Sequence, residues 1–159
     1  MVDGGSAADL VEDAELLAIE NQLVEHEGLR TRVYEDTTGH LTIGVGRNLS
    51  DQGISKAEAL ILLRNDIADA RRELDENLPW WRGLSPIRQR VVLDLAFNLG
   101  IRGLLKFRRT LASIQAGNHT AAAGQLLESK YAQQVGVRAL RLARMMAEDR
   151  DVALSEFSA

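Results

Sequence analysis

The pattern of apolar residues predicts a helix near the start of the chain. Apolar side chains recur at helical spacing at Leu16, Ile19 and Leu23. Asp9, with Glu12 three residues later, resembles a capping box that starts this helix. Gly28 is expected to end it, because glycine readily adopts the left-handed conformation that closes helices. Residues 1–10 are expected to form a flexible N-terminal tail, and residues 11–159 a single domain.

An alternation of apolar and polar residues follows and predicts a strand. Leu41, Ile43 and Val45 alternate with Thr42, Gly44 and Gly46. The preceding residues 36–39, Asp-Thr-Thr-Gly, are typical of a turn and are expected to join this strand to another at 31–35. The two strands form a small hairpin.

A long helix is predicted after the hairpin. Ser55 and Glu58 form a second capping box. Apolar residues then continue at spacings of three and four, at Leu60, Leu63, Ile67, Ala70 and Leu74. The pattern ends at Pro79, which gives a helix roughly 30 Å long at about 1.5 Å per residue. A helix of this length can join two lobes.

The rest of the chain has a helical pattern with several breaks. Ser85 and Pro86 are a cap and a first helical residue, and they open a helix that stops near Gly100. Its inward-facing residues are Ile87, Val91 and Leu95. Gly117 and Gly136 mark further breaks, so three or four short helices are expected after the long one.

The strands are too few and too early for an α/β sheet, so the fold class is α+β. We expect a small β lobe at about 28–55, a linking helix at about 56–77 and a larger helical lobe at about 80–150. A ligand is expected in the groove between the two lobes.

The amino-acid composition limits the kinds of functional site that the chain can contain. The chain has no cysteine and three scattered histidines, so neither a disulfide framework nor a zinc cluster is expected, and no cofactor is implied. The net charge of −4 divides unevenly, with 17 acidic and 7 basic residues in 1–79 but 6 acidic and 12 basic residues in 80–159. The basic half could face a polyanion, although scattered Lys and Arg more often form a solvated helical surface.

The location of the protein is predicted from the start of the chain. The first twenty residues have neither a basic segment nor a long apolar core, and no later run approaches the ~18 apolar residues of a membrane span. We therefore expect no stable membrane insertion and accumulation in the cytoplasm.

Three polar residues of the first third are candidates for catalysis. Glu27 lies in the last turn of its helix, where the negative end of the helix dipole, with partial burial, would favour the protonated form that a general acid needs. Asp36 lies at the corner of the hairpin, where a carboxylate stays ionised, and Thr42 has a hydroxyl that could hold a water. Glu35 is expected to point to the opposite face of the strand. The ordinary alternatives are an exposed helix-end acid for Glu27 and an Asx-turn acceptor for Asp36.

Taken together, a protonated acid, an ionised acid and a hydroxyl are the equipment for hydrolysing a glycosidic bond. The same stretch resembles the phage-type lysozymes, glycoside hydrolase family 24. The matching motifs are Glu-Gly-Leu-Arg at 27–30, Tyr-Glu-Asp-Thr-Thr-Gly at 34–39, Thr-Ile-Gly-Val-Gly at 42–46, Ala-Phe-Asn-Leu-Gly at 96–100, Lys-Phe at 106–107 and Val-Gly-Val-Arg-Ala at 135–139. The resemblance extends over about 16–150.

The resemblance implies a lysozyme-like fold and a muramidase that cleaves bacterial peptidoglycan between N-acetylmuramic acid and N-acetylglucosamine. Because a water would lie between Asp36 and the sugar, we expect the product anomer to be inverted. Glu27 would be the acid, with Asp36 and Thr42 handling the water. Positions that match saccharide contacts of the family are Asn48, Phe97, Thr110 and Gln125, and Arg138 matches a cleft arginine that faces the catalytic acid. The enzyme would be a monomer, released to the wall through a holin-type membrane lesion. Arg47 replaces a histidine that is common in the family.

Several alternatives stay open from the sequence. A lysozyme-like module with weak turnover could bind or scaffold at the wall, and the basic half could bind nucleic acid, although no reading motif is present. Phe97 could belong to the core, and Trp80 and Trp81 could cap it instead of stacking on sugars. Arg138, Arg141 and Arg144 could be the solvated side of an amphipathic helix.

Overall fold

The computed structural model describes residues 7–157, with side chains from residue 13 onward. The chain divides into two compact units, Met1–Ala59 and Leu60–Ala159. Helix α1 spans Ala7–Glu27, so it begins within the predicted tail. Residues 1–6 of that tail, and the side chains of the predicted Asp9–Glu12 capping box, lie outside the described part of the structure. The helix ends as expected, because Gly28 has φ = 73° and donates its backbone N–H to Val24 O at 2.9 Å.

The first unit contains the predicted hairpin and a further short strand. Strands β1 (Arg30–Glu35), β2 (Leu41–Gly44) and β3 (Arg47–Asn48) form an antiparallel sheet in the order β1-β2-β3. Tyr34 lies opposite Thr42 in the β1–β2 pairing. The sequence pattern did not predict β3, because two residues are too few to show an alternation.

Helix α2 spans Lys56–Asn77 and starts with the predicted capping box. The backbone N–H of Glu58 donates to Ser55 Oγ at 3.2 Å, and the backbone N–H of Ser55 donates to Glu58 Oε2 at 2.7 Å. The helix continues past Ala59, where the first unit ends, into the second unit.

Helices are the only regular elements among the described residues of the second unit. A 3₁₀ turn at Pro79–Gly83 is followed by α3 (Pro86–Leu104), α4 (Arg108–Gln115), α5 (His119–Leu127), α6 (Lys130–Val135), α7 (Val137–Glu148) and a 3₁₀ turn at Leu154–Phe157. Five α-helices therefore follow α2 in the described chain, more than the three or four expected. The additional break lies at Ser129, whose hydroxyl accepts from the backbone N–H of Ala132 at 3.2 Å and so caps α6.

The predicted breaks and inward faces of the second unit are confirmed. Gly100 has non-helical torsions (φ = 67°, ψ = 159°) inside α3, and Gly117 and Gly136 separate later helices. Val91 and Leu95 are fully buried. The core also contains Leu74, Trp81, Ile114, Leu126, Met146 and Val152.

Trp81 belongs to this core and not to a sugar-binding surface. It is 1% exposed, and its indole N–H donates to Asp75 Oδ1 at 2.8 Å.

The small antiparallel sheet of the first unit and the helices of the second confirm the predicted α+β class. None of the helices in the described chain is both long enough and apolar enough to cross a bilayer.

Candidate active site

The hairpin corner fixes the position of Asp36. The residue follows the last position of β1, and its backbone N–H donates to His40 O at 2.9 Å. The backbone N–H of Gly39 donates to Asp36 O at 3.1 Å and closes the turn. Both the backbone N–H and the backbone C=O of Asp36 are therefore hydrogen-bonded within the turn.

The carboxylate of Asp36 is strongly bound through one oxygen. Oδ1 accepts from the backbone N–H of His40 at 2.9 Å, from the Thr38 hydroxyl at 2.8 Å and from the backbone N–H of Thr38 at 2.8 Å. These bonds, that of His40 first, lower the pKa of Asp36 to about 2. Asp36 is thus an Asx-turn acceptor and an ionised carboxylate at once, because the turn uses Oδ1 and leaves Oδ2 less engaged.

Thr42 lies beside the second oxygen of Asp36. Its hydroxyl lies 3.5 Å from Asp36 Oδ2 and 3.2 Å from His40 O, and the residue is only 3% exposed. Both contacts are long for an O–H···O hydrogen bond, so the hydroxyl is weakly held. The structure therefore brings Asp36 and Thr42 together as the sequence predicted.

Glu27 is the last residue of α1 and approaches the β2–β3 turn. A Cβ built on Gly46 would lie 3.3 Å from Glu27 Oε2, which shows how closely the carboxyl group passes this backbone. Glu27 is exposed, so the partial burial expected for it is not found. Within the described part of the chain its carboxyl group makes no hydrogen bond or ion pair, which leaves both oxygens available to a ligand.

Glu35 lies apart from this group. It pairs with Leu41 across the hairpin and is exposed. Its Oε1 lies 3.7 Å from the position of a Cβ on Gly39. The side chain thus lies along the turn backbone, whereas the Asp36 carboxylate bonds to Thr38, His40 and Thr42.

In the second unit, Phe97 and Arg138 line one cavity of about 330 Å³. Phe97 is 43% exposed, so it is not a core residue. Asp94 lines the same cavity. Its Oδ1 accepts from Arg138 Nε at 3.0 Å and lies 2.8 Å from Arg138 Nη2 in an ion pair. The cavity therefore combines an aromatic face with an ion pair.

Thr110 and Gln125 line a second cavity of about 290 Å³ in the same unit. Gln125 Oε1 accepts from the Ser113 hydroxyl at 3.2 Å. Asn48 lies in the first unit, and its amide is bound to Asp51, with Nδ2 2.8 Å from Asp51 Oδ2. The predicted saccharide contacts thus form two pairs in the helical unit and one residue in the hairpin unit.

A family model for phage lysozyme matches residues 24–147, which is most of the chain. The chain belongs to the phage lysozyme family. It is 28% identical over 154 residues to the pre-baseplate central spike protein Gp5 of Enterobacteria phage T4, a match that covers 79% of this chain but only 27% of the spike protein. It is also 23% identical over 154 residues to probable T4-type lysozyme 1 of Dictyostelium discoideum, covering 79% of this chain and 91% of that protein.

The position where this phage lysozyme departs from the family pattern has a partner in the structure. Arg47 Nη2 donates to Glu58 Oε1 at 2.9 Å and Nη1 donates to Glu58 Oε2 at 3.3 Å. This two-bond contact joins β3 to the first turn of α2. Arg47 therefore stabilises the contact between β3 and the start of α2.

The arginine stripe of α7 is used within the fold. Arg141 Nε donates to Val152 O at 2.7 Å, and Arg144 pairs with Glu148 and lies over the Phe157 ring. Together with the Arg138–Asp94 pair, these contacts account for all three arginines. The stripe is therefore neither a free basic surface nor a purely solvated face.

Sequence reasoning did not single out two residues that contact the predicted ones, one in each unit. Asp94 was not singled out, and its place one helical turn before Phe97 on α3 was the available signal. His40 was noted only as a scattered histidine, although it follows a turn that holds a candidate carboxylate. Among the described residues, no group of three His, Asp or Glu side chains is arranged to hold a metal ion.

Proposed function

We propose that this phage lysozyme is a muramidase that hydrolyses the β-1,4 bond between N-acetylmuramic acid and N-acetylglucosamine in bacterial peptidoglycan. The observation that supports it most is the pairing of Asp36 with Thr42 at the hairpin corner. An ionised carboxylate whose Oδ2 is not used by the turn, beside a weakly held hydroxyl, is suited to orient a water. No cofactor takes part in this reaction.

Glu27 supplies the proton in this proposal. Protonation of the leaving oxygen requires a protonated carboxyl group. A neighbouring cation would favour the ionised form, and Glu27 makes no ion pair in the described chain. The close approach of Gly46 limits the positions that its carboxyl group can take. Glu27 therefore acts as general acid, while Asp36, with Thr42, positions the water.

The stereochemical outcome follows from the water between Asp36 and the sugar. An inverting reaction needs the two carboxyl groups roughly 6.5–9.5 Å apart, whereas a retaining one needs about 5–5.5 Å. We expect inversion, observed by NMR as the first-formed anomer. Retention would contradict the role of Asp36 in positioning a water.

The decisive experiment compares wild type with Glu27→Gln and Asp36→Asn. Muropeptide release from purified sacculi and turbidity loss of permeabilised cells should be abolished by the first change and reduced by orders of magnitude by the second. Glu35→Gln is the matched control, because Glu35 neighbours Asp36 but lies along the turn backbone; it should remain within a few-fold of wild type. Full activity of Glu27→Gln would refute the assignment.

Lysis of a host cell is part of the same proposal. The enzyme would act as a monomeric, bacteriolytic endolysin that accumulates in the host cytoplasm and reaches the wall through a membrane lesion. Neither nucleic acid nor a membrane would be a partner. Lysis on expression alone, with an intact inner membrane, would contradict this part.

A second candidate function is a lysozyme-like module with weak turnover that binds the wall within a larger protein. It is favoured by one observation, since a relative is a phage spike protein of which the matched region is about a quarter. Binding of the purified chain to sacculi without muropeptide release would support it. Turnover that depends on Glu27 would exclude it.

A further inference from the structure

His40 lies between two carboxylates of the hairpin unit. Its Nδ1 is 2.7 Å from Thr38 Oγ1 and 3.8 Å from Asp36 Oδ1, and its Nε2 is 3.4 Å from Asp51 Oδ2. Asp36 and Asp51 are the acidic groups within 4 Å of the ring in the described chain. The ring therefore connects the hairpin turn to the loop that follows β3.

Hydrogen positions follow from the donors available. The Thr38 hydroxyl has one hydrogen, and its oxygen is 2.8 Å from the ionised Asp36 Oδ1, which can only accept. Thr38 therefore donates to Asp36, and it must accept from His40 Nδ1. The contact of Nε2 with Asp51 is attractive only if Nε2 also carries a hydrogen.

Neither neutral form of the ring satisfies these contacts. With hydrogen on Nδ1 alone, the Nε2 lone pair faces a carboxylate oxygen of Asp51. With hydrogen on Nε2 alone, Thr38 must donate to the ring, and its oxygen then faces Asp36 Oδ1 at 2.8 Å without a hydrogen between them. The doubly protonated ring is the form that satisfies all three contacts.

We propose that His40 is a positioning residue for Asp36, whose imidazolium form holds the Thr38 hydroxyl against Asp36 Oδ1. The inference rests on the proposed role of Asp36 in catalysis. Oδ1 fixes the rotation of the carboxylate, and that rotation sets where Oδ2 lies relative to Thr42 and the water. The Asp51 carboxylate favours keeping the hydrogen on Nε2, so the ring loses its Nδ1 proton. The Thr38 hydroxyl is then free to turn to Nδ1, and Asp36 loses one of its three Oδ1 bonds.

The same network reaches a predicted saccharide contact. Asp51 Oδ2, which faces the ring, also accepts from Asn48 Nδ2 at 2.8 Å, and Asn48 Oδ1 accepts from the Asp51 backbone N–H at 3.0 Å. His40 thus connects the residue that orients the water with a residue expected to contact sugar. Its charge state therefore affects kcat through Asp36 more directly than KM through Asn48.

The test is the ratio of wild-type kcat to His40→Gln kcat as a function of pH. A histidine changes charge between about pH 5 and 8, and any effect of Glu27 on the rate is common to both proteins and cancels in the ratio. We expect a ratio of about ten at pH 5.5, which falls to about one at pH 8, with KM within about twofold. A ratio that is constant with pH would mean that His40 only braces the turn, and would overturn the proposal.

Thr38→Val is the matched control, because it removes the hydroxyl that connects the ring to Asp36 and keeps the His40–Asp51 contact. In the Thr38→Val background, His40→Gln should change kcat by less than about twofold at every pH. Thermal unfolding of all four proteins shows that they are folded at the assay temperature. An undiminished effect of His40→Gln in this background would also overturn the proposal.

A measurement without substrate separates this inference from the proposed function. In wild type, the NMR signal of the Asp36 carboxyl carbon should follow the titration of the His40 ring, and in Thr38→Val it should not. An Asp36 signal that ignores the ring refutes the positioning role. Full activity of Asp36→Asn, with the NMR coupling intact, would instead refute the catalytic role of Asp36.

Discussion

Gly46→Ala tests whether the β2–β3 turn positions Glu27, the proposed general acid. Gly46 has φ = 72°, and the new Cβ would lie 3.3 Å from Glu27 Oε2, 3.6 Å from Cδ and 3.7 Å from Cγ. The first distance is shorter than an ordinary contact of about 3.5–4.0 Å. The carboxyl group must therefore move by a few tenths of an ångström.

Two effects of this change can be separated by size. An alanine in the left-handed region costs about 1–2 kcal/mol, and about 1 kcal/mol lowers the Tm of a domain of this size by about 2–4 °C. The Tm should thus fall by about 2–8 °C. Moving the free end of an exposed glutamate costs little stability, but a displacement of about 1 Å at a reacting group can cost about 100-fold in rate. We expect roughly a tenfold lower kcat.

Gly53→Ala is the control for backbone strain. Gly53 also has positive φ (61°), but a Cβ there would meet no atom within 4 Å. It should lower the Tm similarly and leave turbidity loss of permeabilised cells within about twofold of wild type at 25 °C. Equal losses of activity in both variants, or full activity of Gly46→Ala, would refute the positioning of Glu27 by this turn.

Three further predictions concern pH, salt and the core. Hydrogen bonds lower the pKa of Asp36 to about 2, so the ionised carboxylate contributes fully to folding stability above about pH 4 and loses this contribution as the pH falls toward 2. Asp36→Asn should therefore make Tm less dependent on pH on the acid side. If the basic half steers the enzyme to an anionic wall, activity should fall as ionic strength rises. Lys106, Arg108 and Arg109 make no ion pair in the described chain, and replacing them by Gln should remove this dependence on salt. A wild-type activity that does not change with salt would exclude steering. Leu95→Ala should cost about 2–5 kcal/mol by chemical denaturation, and a cost below about 1 kcal/mol would contradict its full burial.

Sequence alone determined the local structure of this lysozyme. The capping box of Ser55 and Glu58 and the glycine that closes α1 were predicted correctly, because each depends on hydrogen bonds between residues at most four apart. The turn chemistry of residues 36–39 also predicted the hairpin, and its register then placed Thr42 near Asp36. The resemblance to the phage lysozymes was carried by the same short motifs.

Only the tertiary structure decided which distant side chains meet. Asp94 and Arg138 are 44 residues apart, and the packing of α3 against α7 brings them together. Arg47 and Glu58 pair because β3 returns the chain to the start of α2, and β3 itself is too short to leave a pattern. Whether Phe97 was core or surface depended on its neighbours from other helices, since helical periodicity states which residues share a face but not what covers that face. Contacts of this kind depend on the free energy of the whole packed unit, so no local segment of the sequence contains them.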